Sequence, residues 1–188
     1  MFPYTIHEVL SAQAHSKTLS REFKRNRGMR EFGAGAFGAV YGSEYSDTVT
    51  KVTYTNDWGY LAFLEEIRPY NGTNPWLPRI YSVDVYMDQN GDTAIVVKME
   101  RLDRRWTAFG AADPGYEAPR ETAHQIRSHS YGHETSEWIT NNPELTQALE
   151  LIDRAQKKSS CSKDLHGGNI MMRGENQVVI TDPLGFPD

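Results

Sequence analysis

The chain has 188 residues, of which 38% are hydrophobic and 24% charged, and a formal net charge of −5. This is enough for one globular domain or two small lobes around a groove, and the acidic balance argues against a general nucleic-acid-coating protein. No apolar stretch approaches the roughly 18 residues of a transmembrane helix, MFPYTIHEVL lacks the basic and apolar regions of a signal peptide, and the single Cys161 excludes an internal disulfide, which suits a reducing cytosol.

Taken in chain order, residues 5–27 carry Ile6, Val9, Leu10, Leu19 and Phe23 at spacings that predict a helix. The segment 21–30 holds five basic residues. A solvated helix end before Gly28 explains them most simply, and a patch for an acidic partner or nucleic acid is the alternative. Residues 33–40 read Gly-Ala-Gly-Ala-Phe-Gly-Ala-Val, matching G-x-G-x-x-G-x-V at every fixed position. Glycines at 33, 35 and 38 let backbone close over phosphates. Phe37 would sit at the loop tip, and Val40 would cover one face of an adenine.

A Rossmann site would need a strand before this loop and a helix after it. Here Ala39–Tyr41 and Thr48–Tyr54 read as strands, so that reading fails. Lys51 lies in the alternating Thr/Val strand. As a lone residue it would be an exposed strand lysine, but with the glycine loop upstream it is expected to contact the α- and β-phosphates.

Residues 57–68 predict a helix, with Leu61, Leu64 and Ile67 inward and Asp57 as N-cap. This helix should carry the carboxylate partner of Lys51. Glu65, Glu66 and Asp57 are candidates, and the periodicity places Glu65 nearer the buried edge than Glu66. Ile80–Met87 and Thr93–Met99 predict strands joined by a turn at 88–92. Glu100 and Arg101 follow, where a hinge backbone would meet the adenine edge. Residues 103–135, rich in polar residues and Gly with Pro114 and Pro119, read as an irregular or partly helical connector. Residues 136–158 predict one or two helices, with Pro143 in a first turn and Leu145, Leu149 and Ile152 on one face.

The most informative stretch is Asp164-Leu-His166-Gly-Gly-Asn169, followed by Ile180-Thr-Asp182. Phosphoryl transfer from a Mg-nucleotide needs this set: one Asp to orient the attacking hydroxyl, and Asn plus Asp to hold metal on the phosphates. Val178–Ile180 reads as a short strand delivering Asp182. His166 could assist charge at the transferring phosphate or brace the loop. His124, His129 and His133 do not form a zinc pattern, because Gly132 interrupts the helix and no H-E-x-x-H occurs. Cys161 reads as a small packing residue, with a reactive thiol as the alternative. The four tryptophans are too dispersed for a base-stacking platform and read as packing anchors.

By these residues the chain resembles protein-kinase-like phosphotransferases over residues 31–102 and 160–186. With His rather than Lys two residues after the Asp, Asp-Leu-His-Gly-Gly-Asn is closer to aminoglycoside-type and atypical kinases than to ordinary eukaryotic ones. The longer strings Asp164–Met172 and Val179–Phe186 are most similar to the early serine/threonine protein kinases of autographivirus-type podophages. The resemblance implies one α+β kinase-like domain over 1–188. An N-terminal helical extension (1–30) would precede an antiparallel-sheet N-lobe with one helix (31–102). A connector (103–135) would lead to a truncated, mainly helical C-lobe (136–188), with ATP between the lobes.

It also implies ATP with Mg²⁺, or Mn²⁺ in its place, and transfer of the γ-phosphate to host proteins, including transcription or RNA-processing proteins, in the host bacterial cytoplasm, with autophosphorylation. Asp164, Lys51, Asn169, Asp182 and Glu65 would be catalytic, and Asn169 and Asp182 the metal ligands. Gly33, Gly35, Phe37, Gly38, Val40, Lys51, Glu100 and Arg101 would bind the nucleotide.

Three departures stand out. Ser162-Lys163-Asp164 replaces His-Arg-Asp, so the bracing by that His is lost. Asp182-Pro183-Leu184 replaces Asp-Phe-Gly, so a Phe switch is not expected. The sequence ends six residues after Asp182, without an activation segment, and a full second lobe would need on the order of a hundred more residues. Apolar surface left by a short second lobe could be covered by a partner or a second copy. Two rival readings are a small-molecule kinase, favoured by His166, and a kinase-fold binding protein that inhibits a host target, suggested by the short second lobe and the basic 21–30 segment.

Overall fold

A computed structural model describes residues 17–19, 29–35, 37–54, 56–88, 93–103, 117–133, 136–166 and 168–187. The basic run at 21–28, Trp106 and the 89–92 turn lie outside these residues.

Strands β2 (Arg30–Ala34), β3 (Gly38–Gly42), β4 (Thr48–Tyr54), β5 (Ile80–Asp88) and β6 (Thr93–Glu100) form an antiparallel sheet, and β1 (Lys17–Leu19) joins its edge parallel to β5. The spatial order is β1-β5-β6-β4-β3-β2. The expectation of a helix over 5–27 therefore fails at 17–19. Pairing with the open edge of β5 supplies backbone partners there, which local periodicity cannot reveal. The remainder of that segment lies outside the described residues.

Alternation in β4 and β6 turns Val49, Lys51 and Thr53, with Ile95, Val97 and Met99, toward one face. Ile95 and Val97 are fully buried there. Helix α1 (Trp58–Ile67) joins the same core; Asp57 caps it by accepting from the Tyr60 N–H at 3.3 Å, as expected from sequence. A short 3₁₀ turn, Arg68–Tyr70, follows.

The connector is partly helical, since α2 spans Glu117–Ser130. Short α3 (Glu137–Thr140) leads to α4 (Pro143–Ser159), which has Pro143 in its first turn and Asn142 capping the Leu145 N–H. Leu145, Leu149 and Ile152 are buried together as their spacing predicts. They share one continuous core with α1, the inner sheet face and the final strands. Trp76 is buried as a packing anchor and meets Trp138 edge-to-face at 5.9 Å, whereas Trp58 and Trp138 are 43% and 40% exposed and are not core anchors.

The segment after α4 is not helical. It forms β7 (Cys161–Lys163), β8 (Ile170–Arg173), β9 (Gln177–Ile180) and β10 (Leu184–Pro187), paired antiparallel as a β8–β9 hairpin and a β7–β10 ladder that encloses it in sequence. The expected mainly helical 136–188 region is therefore helical up to Ser159 and built of short strands after it. Ile-Met-Met is a weak strand signal alone and becomes a strand because Val178–Ile180 pairs with it. Among the described residues no helix is long and apolar enough to cross a membrane.

Candidate active site

Register explains how distant residues meet. Ile170 pairs with Ile180, so the β8–β9 hairpin brings its two ends, Asn169 and Asp182, to the same side. Thr181 locks the junction, donating from both its N–H (2.8 Å) and its Oγ1 (3.0 Å) to the Asn169 carbonyl. Pro183 O accepts from the Asp164 N–H at 2.7 Å, drawing Asp164 beside the strand exit. The Asn169 amide then donates to Asp164 O (2.7 Å) and reaches Asp164 Oδ2 at 3.3 Å. Asp164, Asn169 and Asp182 are therefore brought together as their spacing predicts.

Lys51 completes the cluster from the sheet. Its Nζ lies 2.6 Å from Asp182 Oδ2, 4.0 Å from Asp57 Oδ2 and 3.3 Å above the centre of the Tyr60 ring. Only 11% of its side chain is exposed. A buried ammonium needs such compensation, here from two carboxylates and an aromatic face. Val40 and Val97 stand directly across from Lys51 in the neighbouring strands and share its face.

The partner expected at Glu65 is corrected. Glu65 accepts from Lys158, and Glu66 from Arg154 at 2.9 Å, so both carboxylates tie α1 to α4. The carboxylate that faces Lys51 from this helix is that of its cap, Asp57, and Thr53 Oγ1 donates to its Oδ2 at 2.7 Å. The reason is geometric: Glu65 lies two turns along α1, on the side that meets α4, whereas the cap residue faces β4.

Asp182 has an unusual environment. Burial pushes its carboxyl above the usual carboxylate range; Lys51 opposes this, while Asp57 and Asp164 add to it. Its Oδ1 is enclosed and has no hydrogen-bond partner among the described residues. A buried carboxylate oxygen without a donor, beside an Asn whose amide nitrogen is already committed to Asp164, suits a hard cation that takes oxygen ligands. The two residues therefore fit Mg²⁺ bound together with phosphate oxygens. Among the described residues no three His, Cys, Asp or Glu side chains group as a metal site of their own.

The glycine loop is a hairpin closed at Gly33–Val40 and Ala34–Ala39, with the Gly35 N–H donating to Gly38 O at 2.8 Å. Phe37 occupies the tip, as expected. Its carbonyl accepts from Tyr54 N–H (3.2 Å), and its ring packs against Phe186 with centroids 4.9 Å apart. The glycines serve different needs. A Cβ at Gly35 would meet nothing within 4 Å, whereas one at Gly38 would lie 2.1 Å from Val52 O and 2.9 Å from Thr53 Cα. Gly38 is thus required by strand approach. Gly38→Ala must force β3 from β4, and thermal denaturation should show a loss of about 2–3 kcal/mol, or roughly 5–10 °C in Tm. A shift below 2 °C would mean that the hairpin yields freely.

The hinge expectation is also corrected. The Glu100 N–H donates to Arg79 O (2.9 Å) and the Arg101 N–H to Asp47 O (2.8 Å), so neither donor is open to a ligand. The buried Glu100 carboxylate instead binds Arg173 through Nε (2.8 Å) and Nη2 (2.5 Å). Arg173 also donates to Pro75 O and Leu77 O. Asp103 and Met172 exchange backbone hydrogen bonds beside it. This clamp joins the sheet to the β8–β9 hairpin, and sequence reading missed it because Arg173 matches no motif.

His166 braces its own loop, accepting from the Gly168 N–H at Nδ1 (2.9 Å), with Nε2 3.5 Å from Asp164 Oδ2. Cys161 is buried among packing neighbours. Gly132, at φ +73°, ends the helix that carries His124 and His129.

An antiparallel sheet with one packed helix, a glycine hairpin, and a buried lysine set against an Asp–Asn–Asp cluster is compatible with a small kinase-like phosphotransferase. The model of one family, bacteriophage T7 protein kinase 0.7, matches residues 5–188, nearly the whole chain. The chain belongs to that family and is a protein kinase, an enzyme that acts on protein substrates. No curated protein sequence matches it.

Proposed function

We propose that the chain is an ATP- and Mg²⁺-dependent serine/threonine kinase that phosphorylates proteins of the infected bacterium, transcription or RNA-processing proteins among them, and also itself, in the host cytoplasm. The observation that carries this reading is the convergence of Lys51, Asp164, Asn169 and Asp182 from three separate stretches of chain. ATP would lie between the sheet and the 164–182 segment, its phosphates under the glycine hairpin. Lys51, now bonded to Asp182, would turn to the α- and β-phosphates, with Asp57 and Tyr60 holding its stem.

The acceptor hydroxyl oxygen forms the new bond to the γ-phosphorus as the bond to the β-bridging oxygen breaks. Asp164 orients that hydroxyl and takes its proton, and ADP leaves. Asn169 and Asp182 would hold Mg²⁺, which would supply charge neutralisation on the phosphates. The residues contribute position and electrostatics rather than a covalent intermediate. With the Glu100 and Arg101 N–H groups taken, the adenine edge would meet the chain at Leu102.

The test is transfer from γ-labelled ATP with Mg²⁺ in a bacterial lysate, beside Asp182→Asn. Label on proteins that falls about a hundredfold or more in the variant is the expected result. Label confined to small hydroxyl compounds would replace this reading with a small-molecule kinase. No label from either protein, with Mg²⁺ or Mn²⁺, would sink the catalytic assignment.

A further inference from the structure

We infer that Tyr131 is a positioning residue for Asp164, supplying from α2 the brace that the Ser162-Lys163-Asp164 sequence lacks. The inference rests on the kinase reading of Asp164. The Tyr131 hydroxyl donates to Lys163 O at 3.0 Å and accepts from the Leu165 N–H at 3.4 Å. One oxygen thus ties the peptide groups on both sides of Asp164.

Local sequence puts it there. The Gly132 N–H donates to His129 O and the His133 N–H to Ser128 O at 2.9 Å, while Gly132 takes the left-handed φ of +73°. That pair of bonds is a Schellman ending, which stops α2 at a defined residue and leaves Tyr131 as its C-cap. The reverse contact secures the same junction. Lys163 Nζ donates to Ser130 O at 2.8 Å and lies 2.7 Å from Asp153 Oδ1 on α4. Side chains of both partners therefore cross between α2 and the loop.

The loop on its other side is already held by the Asp164 N–H to Pro183 O and by the Asn169 amide to Asp164 O. Without the Tyr131 hydroxyl, the Lys163 carbonyl and Leu165 N–H lose their shared anchor, and residues 163–165 can shift relative to Asn169 and Asp182. Displacement of a positioned proton acceptor reduces the transfer step more than nucleotide binding. Tyr131 is 40% exposed, so Tyr131→Phe keeps the ring and its packing and removes only the oxygen.

The experiment compares Tyr131→Phe with the wild-type protein in two ways. Hydrogen exchange should show the Leu165 amide exchanging about tenfold faster, since one hydrogen bond is worth about that factor. In the kinase assay kcat should fall about tenfold, with KM for ATP changed less than twofold. An unchanged Leu165 exchange rate overturns the brace. So does a kcat within twofold of an active wild type. A wild-type protein that transfers no phosphate would sink the kinase reading, while the exchange measurement would still decide whether Tyr131 holds the loop.

Discussion

Replacing Asp164 with Asn is expected to lower kcat for phosphate transfer by about 10²–10⁴-fold and to leave Mg-ATP affinity within about twofold. The substitution is isosteric, and the side chain is 45% exposed, so no buried charge is stranded. The bonds that shape the loop use the Asp164 backbone: its N–H meets Pro183 O, and its carbonyl receives the Asn169 amide. Both survive the change. What disappears is the carboxylate that accepts the hydroxyl proton. Lys51, Asn169 and Asp182, which are proposed to hold nucleotide and metal, remain in place, so the loss should fall on kcat and not on nucleotide binding. Single-turnover transfer, nucleotide titration and a melting curve together check this. Retention of more than a tenth of wild-type turnover would remove Asp164 from its assigned role.

Arg173→Met is expected to destabilise the protein by about 3–5 kcal/mol, the usual result of removing one partner from a buried ion pair. Glu100 has only 8% of its side chain exposed, and Arg173 binds both of its oxygens, while the Arg79 N–H also donates to Oε1 at 2.8 Å. The variant also strips a donor from Pro75 O and another from Leu77 O. For a chain of this size the change corresponds to roughly 6–20 °C in Tm. Because the clamp joins the end of β6 to β8, the loss should also loosen Asn169 and Asp182 relative to Lys51. Removing the stranded charge as well, in Glu100→Gln/Arg173→Met, should recover part of the loss, since the amide leaves no unpaired charge and keeps an oxygen for the Arg79 N–H. A fall of less than 3 °C in the single variant, or a double variant less stable than the single, would show that the pair contributes little.

The two corrections at the site share one origin. Period and propensity placed α1 and its Asp57 cap correctly, yet the same reasoning put Glu65 toward Lys51. Periodicity ranks residues by burial along one helix, and α1 has two buried sides, one on the sheet and one on α4. Glu65 and Glu66 belong to the second, where Lys158 and Arg154 wait. Likewise Glu100 and Arg101 end a correctly read strand, but their N–H groups are spent on Arg79 and Asp47, in turns whose proximity depends on how β4, β5 and β6 align. Missing β8 follows the same logic, because a four-residue strand acquires its conformation from the partner it pairs with.

Read along the chain, the glycine hairpin, the lysine strand, the Asp–Asn–Asp spacing, α1 and α4 were legible, because each depends on neighbours close in sequence, whereas α2 was read only as part of an irregular or partly helical connector. Alternation, caps and glycine placement act over short range. Long-range pairs were not legible. Lys51 and Asp182 are 131 residues apart, and Arg173–Glu100 and Tyr131–Lys163 likewise join separate elements. Such contacts follow from strand register and from which faces of α1, α2 and α4 pack together. Those outcomes minimise the free energy of the whole core and leave no periodic mark on any one segment.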